Sequence, residues 1–160
     1  MITEKYNYIK QEVINTAKKC GRNPDEITLI AVSKTKPLSD IEELIKIGVE
    51  DFGENKVQEL CDKFEHVSKP VHFHLIGHFQ TNKVKYVVDK ACLIHSVDSI
   101  KLAKEIQKEA AKKNVTAEIL IEVNVAEEES KFGLSIDEVI PFIEEVSSFT
   151  NIHINSIINV

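Results

Sequence analysis

The sequence predicts an α/β fold on a parallel sheet, with a (β/α)8 TIM-type barrel favoured over an open doubly wound sheet. Three observations predict it. Short β-branched apolar segments alternate with amphipathic segments along the whole chain, and the connections between them are too short for anything but adjacent layers. A dinucleotide-type open sheet would want G-x-G-x-x-G after its first strand, yet the chain has only 5 glycines and none lies between Ser33 and Gly48. Five strand-helix units and a further strand amount to about three quarters of a barrel that normally needs about 250 residues. The expectation is therefore a barrel truncated after its sixth strand, with residues 1–160 as one domain.

The elements follow in order. Residues 2–20 place Tyr6, Ile9, Val13, Ile14 and Ala17 at helical spacing, with Gly21 as the stop. Residues 27–33 are nearly continuous in apolar character, as a strand covered on both faces would be. Pro37 bars further pairing, Ser39 or Asp40 can cap, and Ile41, Leu44 and Ile45 form a short helix closed by Gly48. Strands are then expected at 51–53, 71–77, 93–97, 117–125 and 152–160, and helices at 56–66, 82–89, 99–113 and 135–148.

Composition excludes several classes. Twenty-six acidic residues against 20 Lys and Arg give a net charge of −6, which argues against a protein held to nucleic acid by bulk charge. At 42% hydrophobic and 29% charged residues the chain can bury a core. No membrane-length apolar run and no signal-peptide pattern occurs, so a soluble cytoplasmic protein is expected. Cys20, Cys61 and Cys92 form no C-x-x-C pair and read as reduced core thiols.

Chemistry in such folds gathers at the C-terminal ends of the strands. Lys34 and Lys36, Gly53-Glu54-Asn55, Gly77-His78, Gln80-Thr81-Asn82-Lys83, Ser96, Asp98, Asn124 and Ser130-Lys131 fall there. Lys34 shares a strand face with Thr28, Ile30 and Val32, so its amine is expected to point inward at the mouth. Desolvation and the like charge of Lys36, on the same face if the strand continues, would both favour a neutral amine able to attack an aldehyde. A pair of lysines snorkelling from a loop is the bland alternative. His72 and His74 alternate with Phe73 and Leu75 and so face one side together, near His66, His78 and His95. Without H-x-x-x-H spacing or a paired cysteine, hydrogen-bonded interior histidines are the better reading than a metal. The 80–83 run also reads as a helix cap on Thr81 or Asn82, and Ser130-Lys131-Phe132-Gly133 as a polar loop with a turn glycine.

Several blocks in order resemble one family. Ile27-Thr28-Leu29-Ile30-Ala31-Val32-Ser33-Lys34-Thr35-Lys36-Pro37, Phe52-Gly53-Glu54-Asn55-Lys56-Val57-Gln58-Glu59, His74-Leu75-Ile76-Gly77-His78-Phe79-Gln80-Thr81-Asn82-Lys83, His95-Ser96-Val97-Asp98 and Ser130-Lys131-Phe132-Gly133 resemble the pyridoxal phosphate homeostasis proteins of the YggS/PROSC type. The resemblance implies a barrel of the alanine racemase N-terminal type with pyridoxal 5'-phosphate as cofactor, held as a Schiff base on Lys34. It implies that Asn55, His74 and Gly77 lie near the cofactor and Lys131 near the mouth; Lys36 is counted with these cofactor-binding residues, and no catalytic residues are assigned. Its implied function is non-catalytic binding in intracellular cofactor homeostasis, with pyridoxal-phosphate-dependent apoenzymes as candidate recipients, no nucleic-acid or membrane partner, and the oligomeric state left open.

Two departures accompany the resemblance. The family's later Ser-x-Gly-Met-Ser and Arg-x-Gly stretches, which supply phosphate-binding groups, do not occur in these 160 residues, and Ser156-Ile157-Ile158 stands where the family tends to Gly-Leu-Met. The alternatives are a truncated scaffold with little cofactor binding and a fragment of a fold-type III enzyme such as a racemase or decarboxylase. The enzyme would need a further β-domain, for which the chain has no room, and a second acid-base group. Exposed strand edges also lead to the expectation of an oligomeric or aggregation-prone chain.

Overall fold

The computed structural model describes residues 1–159, so Val160, the expected last residue of the sixth strand, lies outside the described residues. Helix α1 (Ile2–Lys19) ends at Gly21, whose φ of +70° suits glycine. Strand β1 (Ala31–Val32) leads to α2 (Leu38–Lys46), β2 (Asp51–Glu54) to α3 (Val57–His66), and β3 (His72–Leu75) to the single turn α4 (Val84–Val87). Strand β4 (Ala91–Val97) leads to α5 (Ile100–Lys113), β5 (Ala117–Val123) to α6 (Val139–Val146), and β6 (Ile152–Asn159) follows. Short 3-10 turns precede β1, α4 and α6 at Pro24–Glu26, Thr81–Lys83 and Ile136–Glu138.

All neighbouring strands pair in parallel, and their spatial order is their order in the chain, β1-β2-β3-β4-β5-β6. A doubly wound sheet reverses direction at a switch point, whereas barrel winding adds each strand beside the last. The sheet therefore has barrel winding. Its two faces are unequal. Phe52 and Glu54, Phe73 and Leu75, and Ala117, Ile119, Ile121 and Val123 point outward beneath the helices and are buried. The alternate residues Glu118, Leu120 and Glu122 face the lumen and are half-buried. Gly53 widens nothing on that inner face, because Ile30 and Ile76 close over it; a Cβ there would sit 3.1 Å from Ile30 Cγ2.

Several boundaries differ from expectation. The first strand shrinks from residues 27–33 to two residues because it is an edge with β2 as its single partner, and Val32, expected to be covered, is half exposed. The fourth helix is a 3-10 turn followed by one α-turn, with Gln80 rather than Thr81 or Asn82 at its N-cap and no side-chain cap bond. Pro37, not Ser39 or Asp40, precedes α2, whereas Ser99 caps α5 by accepting from Leu102 N at 3.2 Å. Cys20 is exposed and Cys61 and Cys92 are half-buried, so the thiols are free but Cys20 is no core residue. Among the described residues no helix is long and apolar enough to cross a membrane.

The outer core is centred on Leu60 of α3, fully buried with Phe52 and Phe73, whose rings lie 6.1 Å apart. Leu60→Ala should lower stability by about 2–5 kcal/mol through the cavity it leaves. Exposed Gln58→Ala on the same helix should stay within about 0.5 kcal/mol. Urea unfolding of both variants checks this.

Candidate functional site

The strand ends of β1, β2 and β3 converge. Lys34 lies two residues past the end of β1 and is exposed, so the desolvation expected of it is absent. Lys36 is not on a continuing strand: its N–H donates to Ser33 O at 3.0 Å, closing a turn in which Thr35 takes φ +62°. The expected alignment of the two lysines on one strand face therefore does not form. Among the described residues neither amine joins an ion pair.

Behind Lys34 lies a buried ion cluster that the sequence reading missed. Lys63 of α3, with its side chain 6% exposed, donates to Glu54 Oε1 at 2.6 Å, Glu59 Oε1 at 2.7 Å and Ser33 O at 2.7 Å. Glu54 also accepts from Ser33 Oγ at 2.6 Å, while its Oε2 is buried without a protein partner. Glu59 Oε1 accepts from the Thr35 amide at 2.6 Å. Partial burial opposes ionisation of Glu59, but the bonds from Lys63 and the Thr35 amide win and hold its carboxyl below the ordinary value. A signal for Lys63 was present: it sits three residues after Leu60 and four before Val67, inside the apolar stripe of its helix, where an unpaired lysine is costly.

Asn55 and Gly77 touch through their backbones. Ile76 N donates to Glu54 O, and a Cβ on Gly77 would lie 2.7 Å from Asn55 Cα, a separation real atoms do not tolerate. Ser96 Oγ donates to Gly77 O at 2.6 Å, fixing the same segment from β4.

His74 stands lower, level with Gly53 and Leu93, and is buried. Its Nε2 lies 3.0 Å from Asp51 Oδ1 and its Nδ1 3.0 Å from His95 Nε2, while His72 Nδ1 approaches the same Asp51 oxygen at 3.2 Å. A carboxylate only accepts, so His74 Nε2 carries a proton, and one hydrogen bond joins His74 Nδ1 to His95 Nε2. The alternation reading of His72 and His74 is met, and both nitrogens of His74 are committed within this chain. Among the described residues no group of three or more His, Cys, Asp or Glu has metal-site geometry.

Lys131 lies in the excursion after β5. Asn124 pins that loop, accepting from Glu128 N and donating to Glu128 O, and Gly133 takes φ +117° beside the Asn124 backbone. Phe132 stacks on His78, with centroids 3.7 Å apart, so the loop reaches back over β4 to the end of β3. Lys131 itself is exposed and pairs with Glu128 at 3.3 Å. Below it, burial raises the carboxyls of Asp98 and Glu122 above their ordinary values; His78 opposes the rise at Asp98, and Asp98 adds to it at Glu122.

With this geometry in hand, the alanine racemase N-terminal domain family matches residues 11–159. A pyridoxal phosphate homeostasis protein of Aquifex aeolicus is 37% identical over 152 residues, 94% of this chain and 67% of that protein. The chain belongs to the pyridoxal phosphate homeostasis protein family. The Escherichia coli K12 member is 36% identical over 82% of this chain and 58% of its own length, so the chain spans between 58% and 67% of these two relatives. Among solved structures, PipY of Synechococcus elongatus PCC7942 with PLP bound superposes at a TM-score of 0.79 and 27% identity, covering 92% of this chain and 69% of that one. Within this chain the ends of β1, β2 and β3 are joined by the Ser33–Glu54 bond and by the backbone contact of Asn55 with Gly77.

Two outcomes test the site. Gly77→Ala should force Asn55 aside and lower stability by about 1–3 kcal/mol, read as a urea midpoint shift, where an unchanged midpoint contradicts the close approach. Burial first, then the neighbouring His74, pushes the His95 imidazole down to about 4, against about 6.5 for an unfolded histidine. Between those values the unfolded chain binds the proton and the folded one does not, so stability falls as pH drops from about 6.5 towards 4. His95→Asn should lose less stability than wild type between pH 7 and 5, and equal losses contradict the assignment.

Proposed function

We propose that this chain binds pyridoxal 5'-phosphate without turning over a substrate, with the Lys34 amine as the point of attachment, and that it serves cofactor homeostasis by passing the cofactor to apoenzymes. The observation that carries the reading is an exposed amine, free of ion pairs among the described residues, at the C-terminal end of the first barrel strand. The residues would fit the group: the Lys34 amine for its aldehyde, Asn55 beside the bare Gly77 backbone, and the Lys36 side chain for an anionic substituent, while Lys131 is engaged by Glu128. PipY with PLP bound and relatives named as homeostasis proteins support it further.

When bound, the cofactor supplies an aldehyde that an amine can capture reversibly. Lys34 would hold the group through that carbon, and its ammonium would have to give up a proton before its nitrogen could do so. Asn55 would orient a polar ring substituent. His74 has both ring nitrogens committed within the Asp51–His95 chain, which leaves it no free nitrogen for moving a substrate proton and supports binding over turnover.

Borohydride reduction with the cofactor, then peptide mapping, should place the added mass on Lys34; label chiefly on Lys36 or Lys131 overturns the assignment. Lys34→Ala should abolish the visible absorption of the bound cofactor, and Lys36→Ala should only weaken it. Incubation with common amino acids should give no racemisation, decarboxylation or transamination, and any conversion abolished by Lys34→Ala overturns the non-catalytic reading.

A further inference from the structure

We propose that Glu59 and Lys63, seated on Glu54, clamp the main chain on both sides of Lys34 and thereby set the direction of its amine. The inference rests on the reading of Lys34 as the attachment point.

The geometry is specific to the backbone. The torsion φ of Lys34 turns the Ser33–Lys34 peptide, and ψ turns the Lys34–Thr35 peptide. Lys63 Nζ donates to the carbonyl of the first at 2.7 Å, and Glu59 Oε1 accepts from the N–H of the second at 2.6 Å. The two gripping groups are themselves bonded at 2.7 Å, one turn apart on α3. Fixing both peptides to one ion pair leaves Lys34 neither backbone rotation. Glu54, fully buried, anchors the pair to β2 and also takes the Ser33 hydroxyl.

Two facts indicate that the clamp does more than fill space. Strand β1 stops at Val32 and its last bond to β2 is from Ser33 N to Gly53 O at 2.9 Å, so no ladder orients Lys34 and Thr35. Thr35 holds φ +62°, a left-handed conformation costly for a β-branched residue, and it keeps that conformation while its amide is bonded to Glu59. Glu59, Lys63 and Glu54 are positioning residues here, and the side chains of Lys63 and Glu54 are buried away from the solvent that Lys34 meets.

The test uses the 160-residue chain and two substitutions at Glu59, which is partly exposed. Glu59→Ala removes the acceptor, whereas Glu59→Gln keeps an oxygen for the Thr35 amide. Hydrogen exchange of the ligand-free protein should show a protected Thr35 amide despite its exposed position. In Glu59→Ala that amide should exchange roughly 10- to 100-fold faster, with the strand amides of β3 to β5 unchanged, and Glu59→Gln should recover most of the protection. Borohydride trapping with pyridoxal phosphate should then show the ratio of label on Lys34 to Lys36 falling about tenfold in Glu59→Ala and restored in Glu59→Gln. Unchanged Thr35 exchange in Glu59→Ala overturns the clamp, as does faster exchange with an unchanged labelling ratio. Wild-type protein that carries no label on Lys34 would instead sink the attachment reading, and the exchange measurement would still decide whether the backbone is clamped.

Discussion

The arrangement of the mouth depends on the ion cluster of Lys63, Glu54 and Glu59. Strand β1 offers two paired residues, too few to define where the chain goes next. The cluster supplies what the ladder does not. It joins three elements, since Glu54 ends β2, Glu59 and Lys63 lie on α3, and Ser33 and Thr35 flank the turn after β1. Because Asn55 follows Glu54 and packs against Gly77, the same anchor extends to the end of β3. A disturbance at Lys63 would thus reach Lys34 and Asn55 together.

Period-two alternation divides the labour between the two faces of the sheet. Apolar residues of the outer face meet the helices, and the lumen receives the polar chain Asp51–His74–His95 together with Glu118 and Glu122. Glu54 is the exception, an acid on the outer face beneath a helix. An acid there is tolerable only because Lys63 and the Ser33 hydroxyl meet it, and one of its oxygens remains unpaired even so.

Much of the fold was legible because parallel βα units announce themselves by alternation. Segments such as 117–125 and 99–113 carry strong periodic patterns, and the structure moves their ends by two residues or fewer. Residues 27–33 misled because apolar character records burial potential and not partners; an edge strand pairs on one side, and most of this one goes unpaired. The alternation of His72 and His74 was readable, but the Asp51 partner was not, since cross-strand neighbours depend on register. Gly77 was readable as a strand-end glycine, while its reason, the backbone of Asn55, is a contact across strands. Lys34 was identified by position and type, yet its exposure follows from where the sheet edge falls. Lys63 was the clearest omission, because the chemistry of this fold gathers at strand ends while the residue that organises them sits on a helix.

A buried ion cluster is an expensive way to hold a turn, since desolvation costs several kcal/mol per ion and a well-packed apolar replacement is often as stable. The apolar replacement fails here for a local reason. Beyond Val32 the Thr35 amide has no strand neighbour and the Ser33 carbonyl has only the Lys36 N–H of its own turn, and backbone groups beside a packed helix must still find partners. Lys63 supplies the donor and Glu59 the acceptor, and no pair of apolar side chains can do either. The charge on each is then what makes the other's burial tolerable, with Glu54 balancing the ammonium from the opposite side. The cluster thus answers a backbone problem created by ending the strand one residue before Ser33, and ending it there is what frees Lys34 to stand at the mouth.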